Sequence, residues 1–218
     1  MMSFEQIFVN EVESVIKYNR IQGKKAPFSS IDYDKQTERV DEESKELFDH
    51  LDTLTNGGIN HEIMVKIMDD ICDIAVTLSF QCHMLGNSPE VRKDFALPTD
   101  SVKILSQFLT HRDDPQMRLS YFIQLAKWIT HYPQTIGCEK FDVLGAFSRV
   151  NDNNMSKLVP LDTPNLEQII EDTLKKYEGE DITLVKNEGR LAFQRILDQK
   201  NMKPSTFVDV DISEYVVV

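Results

Sequence analysis

The chain has 218 residues, 41% of them hydrophobic, and its 36 Asp and Glu against 24 Lys and Arg leave a net charge of −12. That apolar share is enough for a packed core, so a disordered chain is excluded. The acidity argues against nucleic acid or an anionic membrane as a bulk partner. It leaves cations, or an anion held by a metal or by a few placed basic groups.

Residues 3–19 read as a helix, with Phe4, Ile7, Phe8, Val12, Val15 and Ile16 at helical spacing. Gly23 to Ser30 is a loop punctuated by Gly and Pro. A second helix runs from about Asp34 to Leu54 and stops at Asn56-Gly57-Gly58. A third runs from Asn60, as N-cap, to Leu85, with Gly86-Asn87 as its stop. Residues 34–85 should therefore form an antiparallel helical hairpin. Thr99 or Asp100 caps a further helix through His111, and Asp114-Pro115 opens another ending near Tyr132-Pro133. Residues 139–149 form a short helix, and Asn151-Asp152-Asn153-Asn154 reads as a polar interruption. Pro164 to Lys176 is the last helix. Two β-like runs follow, at residues 182–185 and 191–193, around a turn at Asn187-Glu188-Gly189. Tyr215 to Val218 is an apolar end, either an edge strand or disordered.

The expected architecture is mainly α, with residues 1–160 as a helical unit and residues 161–218 as a small α/β appendage packed on it. Cys72, Cys82 and Cys138 show no paired or zinc spacing and read as buried free thiols, which suits a reducing cytoplasm. The first residues lack a secretory pattern. The longest uncharged stretch, residues 74–89, falls short of the roughly 20 apolar residues of a membrane span.

The helical hairpin holds the chemistry. Its first helix carries Glu42-Glu43-Ser44-Lys45-Glu46, its second Asp69-Asp70-Ile71-Cys72-Asp73. At about 100° per residue, Glu43 and Glu46 lie roughly 60° and 120° to one side of the stripe of Val40, Leu47, Leu51 and Leu54. Asp70 and Asp73 hold the same offsets, roughly 60° and 120°, from the stripe of Ile63, Ile67, Ile71, Ile74 and Leu78. Each helix thus carries an i, i+3 acid pair at the rim of its core face, and two facing stripes bring the pairs together. Four converging carboxylates repel unless a cation joins them, and a hard divalent ion suits oxygen ligands. Solvated face charges in an acidic chain are the alternative. Ser44, Ala75 and Ser79 are small enough for close helix approach.

The pattern Glu42-Glu43-x-x-Glu46 followed by Asp70-x-x-Asp73 resembles the E-E-x-x-E and E-x-x-D motifs of the MazG-type all-α nucleoside triphosphate pyrophosphohydrolases, with Asp70 where that family usually has Glu. The segment from Val150 to Lys157 is similar to the V-H-x-S-N-M-S-K stretch of phosphoribosyl-ATP-pyrophosphohydrolase-like proteins often encoded by phages. Asn154, Met155, Ser156 and Lys157 match it, whereas Asn151 replaces His and Asn153 replaces Ser. The tail Lys203-Pro204-Ser205-Thr206-Phe207 with Asp211-Ile212 resembles that group's ending without its second proline.

The resemblance implies an all-α NTP-pyrophosphohydrolase-like bundle. It implies hydrolysis of a nucleoside triphosphate between the α and β phosphates, giving a monophosphate and pyrophosphate. Glu43, Glu46, Asp70 and Asp73 would bind Mg²⁺, with Mn²⁺ as a substitute. Asn154 and Asn151 would contact substrate, Lys157 would reach the phosphates, and Glu43 or Glu46 would act as general base. It also implies a homodimer or higher homo-oligomer in the cytoplasm, the host's if phage-encoded. The rival readings are dUTP or dCTP cleavage, phosphoribosyl-ATP hydrolysis, and a non-catalytic acidic helical protein that binds a partner. Outside these motifs, His50 shares the flank of Glu43 and Glu46, either as an exposed or capping residue or beside the acids. Phe122 and Trp128 read as core, with base stacking as the alternative. Arg20, Lys24 and Lys25 form the one local basic patch, either solvated or facing a phosphate.

Overall fold

In the computed structural model, which describes residues 4–86, 107, 108, 110, 111 and 113–218, the chain is mainly helical with a small sheet region towards its C-terminal end. Helix α1 spans Phe4–Ile21 and buries Phe8, Val12 and Val15. Helix α2 spans Ser30–Gly57, so it starts one turn ahead of the apolar pattern. The cause is a capping box. Asp32 N donates to Ser29 Oγ at 3.2 Å, and Ser29 N donates to Asp32 Oδ2 at 2.9 Å, which satisfies two amides that a bare helix start leaves orphaned. Gly58 closes the helix at φ 80°, where a side chain would be strained.

Helix α3 spans His61–Met84 and begins at the expected cap, with Ile63 N donating to Asn60 Oδ1 at 3.0 Å. It folds back along α2 and is the most buried helix, running through Ile63, Ile67, Ile71, Ile74, Ala75 and Leu78. Helix α4 spans Pro115–His131, started by Asp114 Oδ1 accepting from Met117 N at 3.0 Å, with Pro115 in the first turn, where a missing N–H costs nothing. The helix expected from residue 99 or 100 to His111 lies almost wholly outside the described residues.

Helix α5 spans Val143–Ser156, and this corrects the expectation of a break at residues 151–154. Polar composition suggested an interruption, but those side chains find partners compatible with a helix: Asn151 Nδ2 donates to Glu11 Oε2 at 2.9 Å, and Ser156 Oγ donates to Asn153 O at 2.7 Å. Lys140–Phe141, expected to be helical, form a short strand β1 instead. Its partner is β6, Val216–Val217, so the apolar end of the chain is an edge strand.

The remaining strands form one antiparallel sheet. They are β2 (Val159–Pro160), β3 (Ile182–Asn187), β4 (Arg190–Arg195) and β5 (Asn201–Met202), with β4 paired to the other three. The β3–β4 turn places Glu188 and Gly189 at φ 48° and 72°, as a tight two-residue hairpin requires. Helix α6, Leu166–Lys176, lays Leu166, Ile169 and Ile170 over Val159, Leu191 and Phe193 of that sheet.

One hydrophobic core unites all five of α1 to α5, and Ile212 and Val216 of the C-terminal segment belong to it. Phe8 and Phe147 stack at 5.2 Å within it. Phe122 is buried there and Trp128 packs against its edge. All three cysteines are buried and free. No helix among the described residues is long and apolar enough to cross a membrane.

Candidate functional site

Helices α2 and α3 pack along each other. Ser44, Ala75 and Ser79 are each at most 4% exposed. Two side chains clasp the pair: Gln36 Nε2 donates to Thr77 O at 2.8 Å, and Gln81 Nε2 donates to Thr37 Oγ1 at 2.7 Å. Arg118 of α4 secures the back of α2, donating from Nη2 to Ser44 Oγ at 2.9 Å. The acid-bearing turns of both helices are thus held against each other.

The carboxylates on those turns sense one another. Burial pushes Glu43 up to about 7, and the negative charges of Glu46, Asp70, Glu42 and Asp69 add to it. Burial likewise pushes Asp73 up to about 8, helped by Glu43, Asp69 and Asp70 and opposed by Lys157. These are the responses of carboxyls that are partly withdrawn from water and crowded by like charge. Glu43 and Asp73 are half-buried, whereas Glu46 is exposed.

Asp70 is the most buried of the set, at 6% exposure, and has a dedicated partner. His50 Nδ1 lies 2.6 Å from Asp70 Oδ2. Burial raises the Asp70 carboxyl, and His50 works against that rise. Of its two sequence readings, His50 therefore takes the one beside the acids.

Asp69 was not singled out by spacing, yet the structure adds it. It stands one turn from Asp73, and its carboxyl, raised by the surrounding protein, is drawn back by Lys157 and Lys203. The missed signal was an i, i+4 pair within the same five-residue acidic run.

A basic rim faces the acids. Lys157 follows the end of α5, and its Nζ donates to Asn154 Oδ1 at 2.6 Å. Burial leads in lowering the Lys157 ammonium, Lys203 and Lys200 repel it, and Asp73 and Asp209 attract it. Lys157 and Lys203 sit over the Phe207 ring at 5.6 and 4.9 Å from its centroid. Lys203 also pairs with Asp209. Lys157, tied to Asn154, is thus near enough to act on Asp69 and Asp73 of α3, and Lys203 acts on Asp69 from the C-terminal side. Asn151 does not join them. It is 4% exposed, and its amide nitrogen is spent on Glu11 of α1, to O at 3.2 Å and to Oε2 at 2.9 Å.

The donor set is hard carboxylate oxygen, the kind Mg²⁺ or Mn²⁺ takes. Among the described residues, however, no group of three or more His, Cys, Asp or Glu is arranged to hold a metal ion. The carboxylates are gathered in one place without closing on a common point.

Glu43 and Lys157 also line a cleft of about 500 Å³, whose other walls include Lys35, Arg39 and Lys24. Its volume suits a small molecule. No protein-family model, curated protein or solved structure matches the chain.

Proposed function

We propose that this protein is a Mg²⁺-dependent nucleoside triphosphate pyrophosphohydrolase, cleaving between the α and β phosphates to give a monophosphate and pyrophosphate. The observation that carries the reading is the withdrawal of two hairpin acids from water beside others of like charge. Glu43 and Asp73 are held at about 7 and about 8, on helices packed side by side, with Lys157 opposite and a cleft beside them. Such a set is costly unless a cation or a reaction uses it.

Glu46, Asp70 and Asp73 fit a divalent ion in kind and would hold it once drawn onto a common point, with His50 keeping Asp70 oriented and Glu43 acting as base rather than ligand. When bound, Mg²⁺ supplies charge neutralisation at the phosphate oxygens. The chain's own groups do the rest. A carboxyl held near pH 7 is matched to take a proton from water, and Glu43 stands there. The water oxygen forms a bond to the α-phosphorus. The bond from that phosphorus to the bridging oxygen breaks, and its electron pair leaves with pyrophosphate. Lys157, tied to Asn154, presents positive charge to the departing group and can donate a proton. Phe207 shields one side of that ammonium from water.

The test is a panel of ribo- and deoxynucleoside triphosphates with Mg²⁺, read for monophosphate and pyrophosphate. Metal-dependent release of both supports the proposal, and preference for dUTP, dCTP or phosphoribosyl-ATP would narrow it. Release of orthophosphate alone, or no metal-dependent turnover, sinks it and favours a non-catalytic acidic binding protein.

A further inference from the structure

A second cavity, of about 390 Å³, adjoins the α1–α2 loop and shares residues with the cleft beside Glu43. In a chain of net charge −12 its lining is basic: Lys24, Lys25, Lys35 and Arg39 against Asp32 and Asp198. Both acids are already committed. Asp32 holds the capping box of α2 through Ser29. Asp198 is gripped by Arg195 at 3.0 and 2.6 Å and accepts from Lys200 N at 3.0 Å. The cations are not matched in this way. Lys24 Nζ donates to the neutral Asn19 Oδ1 at 2.9 Å, and Arg39 Nη2 donates to the Asp198 backbone carbonyl at 3.0 Å. Neither makes an ion pair with a carboxylate among the described residues.

Two further observations point to a ligand. Gln22 lines both cavities and is 3% exposed, and its buried Nε2 makes no hydrogen bond of good geometry, although the Tyr18 hydroxyl is near. Such a donor favours a better acceptor. Phe80 lies beneath, with Lys24 Nζ 5.4 Å from its ring centroid, so the floor is apolar and keeps water from screening the cations. Burial, with Arg39 adding to it, lowers the Lys24 ammonium to about 7. An arriving anion would reverse that.

Along α2, Lys35, Arg39 and Glu43 recur one turn apart, so the basic end lies about 6–12 Å along the helix from the acids. Lys157 and Lys200 line the cleft between. We propose that this cavity is an anion subsite, in which Arg39 and Lys24, with Gln22 as a neutral donor, hold a phosphate group of the ligand at the end remote from the acids. Its place on a nucleoside triphosphate rests on the pyrophosphohydrolase reading; the anion site itself does not.

The test is calorimetric titration of inorganic pyrophosphate into the metal-free full-length chain at pH 7. Arg39→Met and Lys24→Met are compared with Lys175→Met, which removes one charge from an exposed position on α6. Circular dichroism and a thermal melt confirm that each variant is folded. The expected result is at least a tenfold loss of affinity for Arg39→Met and Lys24→Met, with Lys175→Met unchanged. No binding to the parent, or equal affinity across all three variants, overturns the inference. Arg39-dependent binding in a chain that hydrolyses no nucleotide upholds the subsite and rejects the hydrolase. Full turnover with an unchanged KM in Arg39→Met and Lys24→Met does the opposite.

Discussion

His50 Nδ1 and Asp70 Oδ2 lie 2.6 Å apart, joining α2 to α3 at the end of the acid cluster nearest the hairpin turn. With Asp70 only 6% exposed, the histidine supplies a hydrogen bond that water cannot easily replace. His50→Ala should therefore destabilise the chain by about 2 kcal/mol, as expected when a buried carboxyl loses its partner. Urea denaturation measures this. A change below about 0.5 kcal/mol, the ordinary range for surface substitutions, would show that the bond contributes nothing to holding the hairpin.

Glu43 and Asp73 make stability depend on pH in a definite direction. Both carboxyls are raised, to about 7 and about 8, so the folded chain holds protons that the unfolded chain releases. Their contribution is fully present below the unfolded values near 4 and is lost as pH rises through 7 and 8. The metal-free protein should melt about 3 °C lower at pH 8.5 than at pH 6, because the lowered Lys24 ammonium gains stability above pH 7 and offsets part of the loss. Millimolar Mg²⁺ should restore more of that loss at pH 8.5 than at pH 6. A melting temperature that is flat across this window would contradict the description of the cluster.

Asp73→Asn separates stability from activity. Removing the charge relieves repulsion in a half-buried place, so the variant should be more stable at pH 8 by about 2 kcal/mol. Under the proposed chemistry it should also lose at least a hundredfold in kcat, as Glu46→Gln should. Denaturation and steady-state assays of the same preparation decide it. Wild-type rates in both variants would place the reaction elsewhere.

Asn151 and Asn154 stand one turn apart and should behave differently. Asn151 is buried and bound to Glu11, so Asn151→Ala should cost about 1–2 kcal/mol of stability while the folded fraction keeps its kcat. Asn154 positions Lys157, so Asn154→Ala should leave stability near that of the parent and raise KM. Equal kinetic effects in the two variants would refute this division.

The hairpin was legible because its signals are local. Asn60 and Asp114 cap helices in ways that residue type and spacing alone specify, and the stripes of α2 and α3 follow the helical period. Ser29-x-x-Asp32 is just as local but uses Asp where Glu is the usual cue, so the start of α2 was read one turn late. The polar run at residues 151–154 misled because its helicity depends on Glu11, 140 positions away in the chain. Angles on a helical wheel placed Glu43, Glu46, Asp70 and Asp73 on facing rims, but they say nothing about reach. That Asp70 meets His50, and that the charge of Lys203 is felt at Asp69, depend on tertiary approach, with no period to reveal them.

The cleft has walls from distant parts of the chain, sewn together by a few polar bonds. Arg20 Nε reaches Glu188 Oε1 at 2.7 Å, Asn187 Nδ2 donates to Arg20 O at 2.9 Å, and Asn201 Nδ2 donates to the Tyr18 hydroxyl at 2.9 Å. Residues 18–43 leave the ribosome early and residues 187–201 late, so helices α1 to α5 can collapse on their shared core before the opposite wall of the cleft exists. The cleft is then the last part of the fold to be completed, and a protease cut in the segment joining α6 to β3 would threaten it while leaving most of the helical core to stand.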